Sequence, residues 1–268
     1  IGGITLADGT AIGGTAEGEP LYRFYGYKMS HILQTPEEAA NALYDDKSAG
    51  YDPLTGISTP GKKFAGDYEW INRPGSATRI INGKEVEIID SQDRFLLGYT
   101  VPHSTGGFGN TITWKSLTFN LYLDWALGHS IFDQTEATYM INTFTGNATL
   151  SSKVKECWTG PGDTDAKYAK FQVMGHKQSS NFRTSDVFTY KGDYLCIREV
   201  SIAYQFPEKW VSKIGMQNAS VVVSGNNLYY FTEAKGMSPE VGASSTYVDS
   251  YCNYPPIMRL SLGLKVTF

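Results

Sequence analysis

The sequence predicts an all-β fold, namely an antiparallel transmembrane β-barrel segment of about six strands whose long outer loops carry short helices. Apolar and polar residues alternate strictly along several runs of about ten residues, and long and short connections between these runs alternate as well. No stretch approaches the roughly 18 apolar residues of a membrane-spanning helix. Aromatic residues make up 13% of the chain, which suits the aromatic girdles of a barrel and also suits a sugar-binding surface.

The C-terminal run Ile257–Phe268 shows the alternation most clearly. Successive side chains of a strand point to opposite faces, so every second residue shares a face. One face is wholly apolar and consists of Met258, Leu260, Leu262, Leu264, Val266 and Phe268. The other face carries Arg259, Ser261, Gly263, Lys265 and Thr267. The pattern predicts a strand with lipid on one side, and the alternative is a half-buried strand of a soluble β-domain.

Five upstream runs predict further strands. Leu117–Leu127 alternates as cleanly as the C-terminus, and Phe108–Lys115 precedes it across a tight turn at Lys115–Ser116. The remaining runs are Val200–Phe206, closed by Pro207, the Val-rich Asn218–Phe231, and the aromatic Leu21–Met29.

Three short helices are expected in the connections. Thr35-Pro36-Glu37-Glu38 is a helix-start signature and opens a helix to about Tyr44. A second helix spans Pro207–Ile214 and ends at Gly215, and a third lies within Ser130–Phe144.

The connections orient the predicted sheet. The long segments Ser30–Ser104, His129–Gly192 and Thr232–Pro256 fall on one side, and the short turns at Ser116 and Pro207–Gln217 fall on the other. Barrels in bacterial outer membranes have this asymmetry, with the long loops outside. Six strands do not close a membrane barrel, and an open sheet in lipid leaves backbone groups unpaired. We therefore expect the chain to be part of a larger barrel, and a start at Ile1 without a leader segment favours this interpretation.

Composition argues against several other functions. A net charge of −4 without a basic stripe argues against a nucleic-acid partner. The four histidines are far apart and no nucleophile or phosphate-binding motif occurs, so we expect neither an enzyme nor a cofactor. Three cysteines, Cys157, Cys196 and Cys252, are too few for a disulfide scaffold or a zinc site. Either one pair bridges or all three remain thiols.

Several motifs resemble the SusC/RagA family of TonB-linked outer-membrane transporters, in the family's order from about residue 20 to the end. They are FYGYK at Phe24–Lys28, HILQTPEEA at His31–Ala39, Asp93-Arg94 with Leu97-Gly98 and Pro102, Gly106–Gly128, WTGP at Trp158–Pro161, Asp193–Pro207, Val221–Thr232 and the terminal GLKVTF. Many relatives also carry an acidic, glycine-containing run before the Asp-Arg pair that can ligate calcium. Here Lys84 and Val86 stand where carboxylates are needed, so no metal site is expected.

The resemblance implies a TonB-dependent importer of oligosaccharides or peptides in the outer membrane of a member of the Bacteroidota. Such proteins are 22-stranded barrels with an N-terminal plug and a SusD-like surface lipoprotein as a lid. Residues 1–268 would form the C-terminal part of the barrel, and the plug, the TonB-contacting segment and the signal peptide would lie upstream. Two alternatives are a soluble or surface-tethered glycan-binding module and a structural barrel that transports nothing.

Three groups of candidate functional residues follow. Aromatic residues of the outer segments are candidate contacts with cargo or lid, unless they only pack within the loops: Trp70, Trp158, Tyr247, Tyr251 and Tyr254. Polar residues on the lumen-facing side of the strands would line the path or hydrogen-bond the plug: Asn120, Tyr122, Asp124, Arg259 and Lys265. The apolar C-terminal residues resemble the signal that the barrel-assembly machinery recognises: Leu262, Leu264, Val266 and Phe268.

Overall fold

The computed structural model describes residues 3–6, 9, 11–14, 17–48, 59, 61–75, 77–137, 150–171, 179–234, 238–240, 248–249 and 254–268. The chain forms two compact units. The sheet unit comprises residues 101–129, 191–241 and 253–268, and the loop unit comprises residues 1–100, 130–190 and 242–252. The loop unit is thus assembled mainly from the segments that the sequence predicts as outer loops.

The described strands are, in chain order, β1 Ile4–Thr5, β2 Ala11–Ile12, β3 Arg23–Gly26, β4 Met29–Ile32, β5 Tyr44–Asp45, β6 Tyr68–Trp70, β7 Thr78–Ile81, β8 Lys84–Ile89, β9 Phe95–Tyr99, β10 Ser104–Trp114, β11 Leu117–Leu127, β12 Ser130–Asp133, β13 Thr189–Lys191, β14 Tyr194–Gln205, β15 Asn218–Thr232, β16 Val248–Asp249 and β17 Arg259–Thr267. Helix α1 spans Pro36–Asn41 and helix α2 spans Glu208–Val211, and residues 134–137 are helical as well. Short 3-10 helices span Ser91–Asp93, Ser152–Glu156, Ser179–Phe182, Asp186–Phe188 and Ser212–Ile214. No helix among these residues is long and apolar enough to cross a membrane.

The sheet unit contains one five-stranded antiparallel sheet in the order β10-β11-β14-β15-β17. Five of the six predicted strands are therefore confirmed, in their predicted order. Its strands of 9 to 15 residues are long enough to cross a bilayer, which takes roughly 9–11 residues of a tilted strand.

One face of this sheet is apolar. The register aligns Ile112, Phe119, Ile202, Val223 and Leu262 in one row across all five strands. The neighbouring row is Trp114, Leu117, Tyr204, Val221 and Leu264. Several large side chains of these rows are exposed to solvent, and the exposed fraction of Leu262 is 77%. A soluble protein rarely exposes so large a contiguous apolar surface, so the face suits lipid.

Aromatic side chains mark both ends of the apolar face. Trp125 pairs with Leu195, which in turn pairs with Phe231 on the next strand. The rings of Phe231 and Tyr229 pack edge-on, with 4.8 Å between their centres. Trp114 lies at the other end, opposite Leu117. From Leu117 to Trp125 the strand advances about 26 Å, at about 3.3 Å per residue. This length is comparable to the apolar band of about 25 Å that outer-membrane barrels place between two aromatic girdles.

The short turns of the sheet agree with the sequence. Lys115 adopts a positive φ of 53° in the two-residue turn between β10 and β11, as a tight hairpin requires. Helix α2 and the turn Ser212–Ile214 connect β14 to β15, and Gly215 ends them with a left-handed φ of 78°.

The prediction that Leu21–Met29 forms one more long strand of this sheet is wrong. This segment divides into the short strands β3 and β4, which pair with β9 and β6 inside the loop unit. Gly26 approaches Thr184 so closely that an added Cβ would lie 2.6 Å from the Thr184 carbonyl oxygen. The Tyr27 amide then donates to that oxygen at 2.9 Å, so the backbone turns toward the loop core instead of continuing a long strand.

One helix prediction needs correction, a second agrees with the described residues, and the Asp-Arg motif has a structural role. Helix α1 begins as expected, with Glu38 N donating to the Thr35 hydroxyl at 3.1 Å, but it ends at Asn41 rather than Tyr44. The segment Ser130–Phe144 opens with strand β12, helical residues follow at 134–137 as expected, and residues 138–144 lie outside the described residues. Asp93 of the Asp-Arg pair is buried and accepts from the backbone amides of Arg73 and Asp90, both at 2.8 Å.

The loop unit has a core of its own. One cluster contains Tyr27, Ile32, Tyr68, Trp70 and Ile89, and a second contains Phe132, Cys157, Tyr168 and Phe188. Buried ion pairs accompany them: Arg183 contacts Asp45 and Asp46, and its guanidinium lies 4.2 Å from the Tyr27 ring centre. The long loops therefore fold together through contacts between distant parts of the chain.

Candidate functional site

The polar face of the sheet is a candidate wall for a passage. Thr111 donates from Oγ1 to Asn120 Oδ1 at 2.8 Å, and Asn120 Nδ2 donates to Ser201 Oγ at 3.0 Å. Ser224 and Ser261 continue the same row across β15 and β17. Hydroxyls and amides thus satisfy one another along this face, as suits a surface in contact with water.

Arg198 joins this face because of a β-bulge. The alternation of Val200, Ile202 and Tyr204, extended backward, would place Arg198 on the apolar face. The register shifts at this residue, since Tyr122 pairs with Glu199 whereas Leu123 pairs with Ile197. The extra residue in β14 turns the Arg198 side chain to the polar face, where Asp124 lies.

The guanidinium of Arg198 is the centre of a polar cluster. Its Nε and Nη2 donate to the two oxygens of Asp124 at 2.8 and 2.7 Å, which is a bidentate pair. Its Nη1 donates to Asn227 Oδ1 at 2.8 Å and to the Tyr230 hydroxyl at 3.2 Å, and Glu240 forms a second ion pair. Asn227 has a positive φ of 51° in a matching irregularity of β15, a conformation that Asn tolerates. The cluster ties β11, β14, β15 and the segment around Glu240 together.

The predicted lumen residues share one face of the sheet. The register places Asn120, Tyr122, Asp124, Arg259 and Lys265 on the polar side. Asn120 and Asp124 belong to the hydrogen-bonded networks, while Arg259 and Lys265 are exposed on the edge strand β17. A role in transport for these residues stays a prediction. Sequence reasoning missed Arg198 and Glu240, although a charged residue that interrupts an alternating run is a usable sign of a bulge.

The C-terminal strand presents its apolar residues as the alternation predicts. Leu262, Leu264 and Phe268 are exposed, and Val266 is half-buried opposite Ala219. Their recognition by an assembly machinery stays a prediction.

The structure divides the aromatic candidates. Trp70 is only 1% exposed, and its Nε1 donates to the Ser180 hydroxyl at 2.9 Å. Burial leaves Trp70 no surface for cargo or lid, so it is a core residue and not a contact residue. Tyr254 is 83% exposed and stays a candidate. Tyr247 and Tyr251 lie outside the described residues.

Trp158 connects two of the family-like motifs. Its Nε1 donates to Gln34 Oε1 at 3.0 Å, and the Gly162 amide donates to the same oxygen at 3.2 Å. The ring packs on Gly66, where an added Cβ would lie 2.5 Å from it. Trp158 also borders an apolar groove of about 470 Å³ and stays a candidate contact.

The described cysteines and acidic residues were considered as candidates for a disulfide, a reactive thiol or a metal site. Cys157 and Cys196 are buried thiols that form no disulfide, and Cys252 lies outside the described residues. Burial raises the pKa of Cys157 to about 11, so its thiol stays protonated at neutral pH. In the described part of the chain, no three His, Cys, Asp or Glu side chains are grouped to hold a metal ion.

Comparison with known proteins identifies the relatives of this chain. It is 26% identical over 263 residues to TonB-dependent receptor P3 of Formosa agariphila, a match that covers 94% of this chain and 22% of the receptor. It is 25% identical to TonB-dependent receptor P39 of the same organism, covering 97% of this chain and 26% of the receptor. The chain is related to TonB-dependent receptors. It spans about a quarter of the length of these relatives, and no family model matches it.

Comparison with solved structures shows the fold of this chain. The structure of the RagAB peptide importer in its open-open state superposes with a TM-score of 0.55 and 16% identity, covering 92% of this chain and 22% of the other. The β-barrel segment predicted from the sequence is thereby confirmed as the fold. The relatives carry the name of receptors rather than of enzymes.

Proposed function

We propose that this chain forms part of the wall of a TonB-dependent outer-membrane importer of oligosaccharides or peptides. The observation that carries the proposal is the five-stranded sheet with a wide, exposed apolar face on one side and a hydrogen-bonded polar face on the other. A water-soluble glycan-binding module would bury such a face, because exposing it to water costs about 25 cal/mol per Å².

The sheet has two edges, strands β10 and β17. In hydrocarbon an unpaired edge leaves backbone N–H and C=O groups without partners, at several kcal/mol for each group. Further strands of the same barrel are therefore the partners that these edges require. We place this chain at the C-terminal end of the barrel, with the plug and the TonB-contacting segment in the part that precedes it.

Transport in this proposal is passage and not chemistry. The polar face lines the path, and the cluster around Arg198 stiffens the wall by linking three strands and the segment around Glu240. The apolar face contacts outer-membrane lipid.

A SusD-like surface lipoprotein is the proposed lid. The RagAB peptide importer, which shares this fold, is a two-component assembly by its name. Trp158 and Tyr254 are the described aromatic candidates for contact with cargo or lid.

The proposal is tested by deleting the gene and complementing it. Complemented cells should import a labelled oligosaccharide or peptide in a TonB-dependent manner, and the protein should be found in the outer-membrane fraction. Loss of import on TonB deletion separates an importer from a structural barrel. Recovery of the protein in the soluble fraction, without detergent, would contradict the proposal and favour a binding module.

A further inference from the structure

A second groove of the loop unit lies beside helix α1 and has a volume of about 410 Å³. Its apolar lining comprises the partly buried Ala42 and Leu43, together with Leu33 and Trp70, which are each only 1% exposed. Its polar part is formed by His31, Glu38, Asn41 and Glu69, and the described lining residues include no lysine or arginine. The volume lies within the range of about 300–1,000 Å³ that is usual for ligand pockets.

Glu69 contributes an acceptor that the described residues leave unused. The residue is 8% exposed, and its Oε1 accepts from the buried Lys63 Nζ at 2.8 Å. Its Oε2 is buried and has no hydrogen-bond partner within the described residues. A buried acceptor without a donor is unfavourable, so a donor brought by a ligand would be stabilised there once the carboxylate turns toward it.

The groove carries a net negative charge. Lys63 offsets the charge of Glu69, and its own side chain is fully buried behind that carboxylate. Glu38 is held in place, because its Oε1 contacts His31 Nε2 at 2.9 Å and its Oε2 accepts from the Gln34 amide at 2.6 Å. The two carboxylates, Glu38 and Glu69, outnumber the single lysine beside them, Lys63, and this favours a cationic group over an anionic one.

We propose that this groove binds the N-terminal ammonium of a peptide whose first side chain is apolar. This inference deepens the proposed function and rests on it, because it selects peptide over oligosaccharide as cargo at this site. The ammonium offers three donors and a full positive charge to Glu69 and Glu38, and the adjacent side chain lies on the partly buried Ala42 and Leu43. A neutral sugar would gain no charge attraction, and the buried Trp70 offers it no open ring face for stacking.

The test measures binding to the full-length transporter in detergent by calorimetry. The probes are the peptide Leu-Ala-Gly-Gly, the same peptide with an acetylated N-terminus, and maltohexaose. Acetylation removes the ammonium and should weaken binding by about tenfold or more. This comparison needs no variant and so does not depend on the folding of one.

Two variants locate the effect. Glu69→Gln keeps the size of the side chain and an oxygen for Lys63 but removes the charge, so it should abolish the preference for the free peptide. Glu37→Gln is the control of the same chemistry, because Glu37 lies next to Glu38 on helix α1, is exposed and does not line the groove. It should leave both affinities unchanged.

Several results would overturn the inference: equal affinity for the free and acetylated peptides, binding of neither, an unchanged preference in Glu69→Gln, or binding of maltohexaose alone. Uptake in cells separates this failure from failure of the proposed function. If gene deletion abolishes TonB-dependent uptake while the peptide preference is absent, only the inference fails. If deletion changes the uptake of no probe, the proposed function fails and the inference fails with it.

Discussion

In the sheet unit large apolar side chains such as Leu262 are exposed and polar side chains contact one another, whereas in the loop unit Trp70 and Ile89 are buried and charged groups lie among them. The sheet unit is ordered mainly by contacts between neighbouring strands, so its pattern is local and repeats every two residues. The loop unit is ordered by contacts such as Trp70 with Ser180 and Arg183 with Asp45, which join parts of the chain more than a hundred residues apart. The first arrangement suits lipid, and the second is that of an ordinary water-facing domain.

Truncation of the loop core should produce the largest effect. Trp70→Ala removes a fully buried indole and its hydrogen bond to Ser180, and we expect a loss of about 3–5 kcal/mol in the stability of the loop unit. Hydrogen exchange should accelerate for the amides of β6 but not for those of β14. Tyr254→Ala, at an exposed residue, is the control. Equal acceleration in both units would contradict the division into two units.

A charge on the apolar face should affect the sheet unit next most strongly. Leu262→Arg places a guanidinium toward lipid and should cost about 2–4 kcal/mol near the midplane. Ser261→Arg, one residue away on the polar face, should cost much less. The readout is the level of each variant in the outer membrane, and equal levels would show that the assignment of the two faces is wrong.

Loss of the Arg198 guanidinium should have a smaller but measurable effect. Arg198→Met leaves Asp124 and Glu240 without their cation in a partly buried site, so we expect a loss of about 1–3 kcal/mol in urea unfolding from lipid vesicles. Arg259→Met, exposed on the same face, should change stability by less than about 0.5 kcal/mol. In a double-mutant cycle, Glu240→Gln should cost less in the Arg198→Met background than in the natural protein. Additive effects would argue against the cluster.

The smallest effect concerns the Cys157 thiol. Burial raises its pKa to about 11 from an ordinary value of 9.0, so folding favours the protonated form. This preference contributes to the free energy of unfolding in full below pH 9, and the contribution is lost as the pH rises toward 11. Alkylation of the Cys157 peptide by iodoacetamide, followed by mass spectrometry, should be about a hundredfold slower at pH 8 than that of an unfolded control. Equal rates would mean that the thiol is not buried as described.

Sequence alone was sufficient for the elements that depend on local pattern. The alternation in Leu117–Leu127 and Arg259–Thr267 determined two strands and their faces, and the turn at Lys115–Ser116 determined the hairpin. Thr35 and Gly215 marked a helix start and a helix end for the same reason, because caps act within a few residues.

Only the tertiary structure decided where the pattern is broken and which distant residues meet. The bulge moves Arg198 from the apolar face to the polar one, and that shift depends on the partners Asp124 and Glu240 on other segments. Burial of Trp70 and pairing of Glu69 with Lys63 likewise depend on the packing of the loop unit. A period of two residues carries information about the faces of one strand, whereas a core and its buried charges are properties of segments that the sequence places far apart.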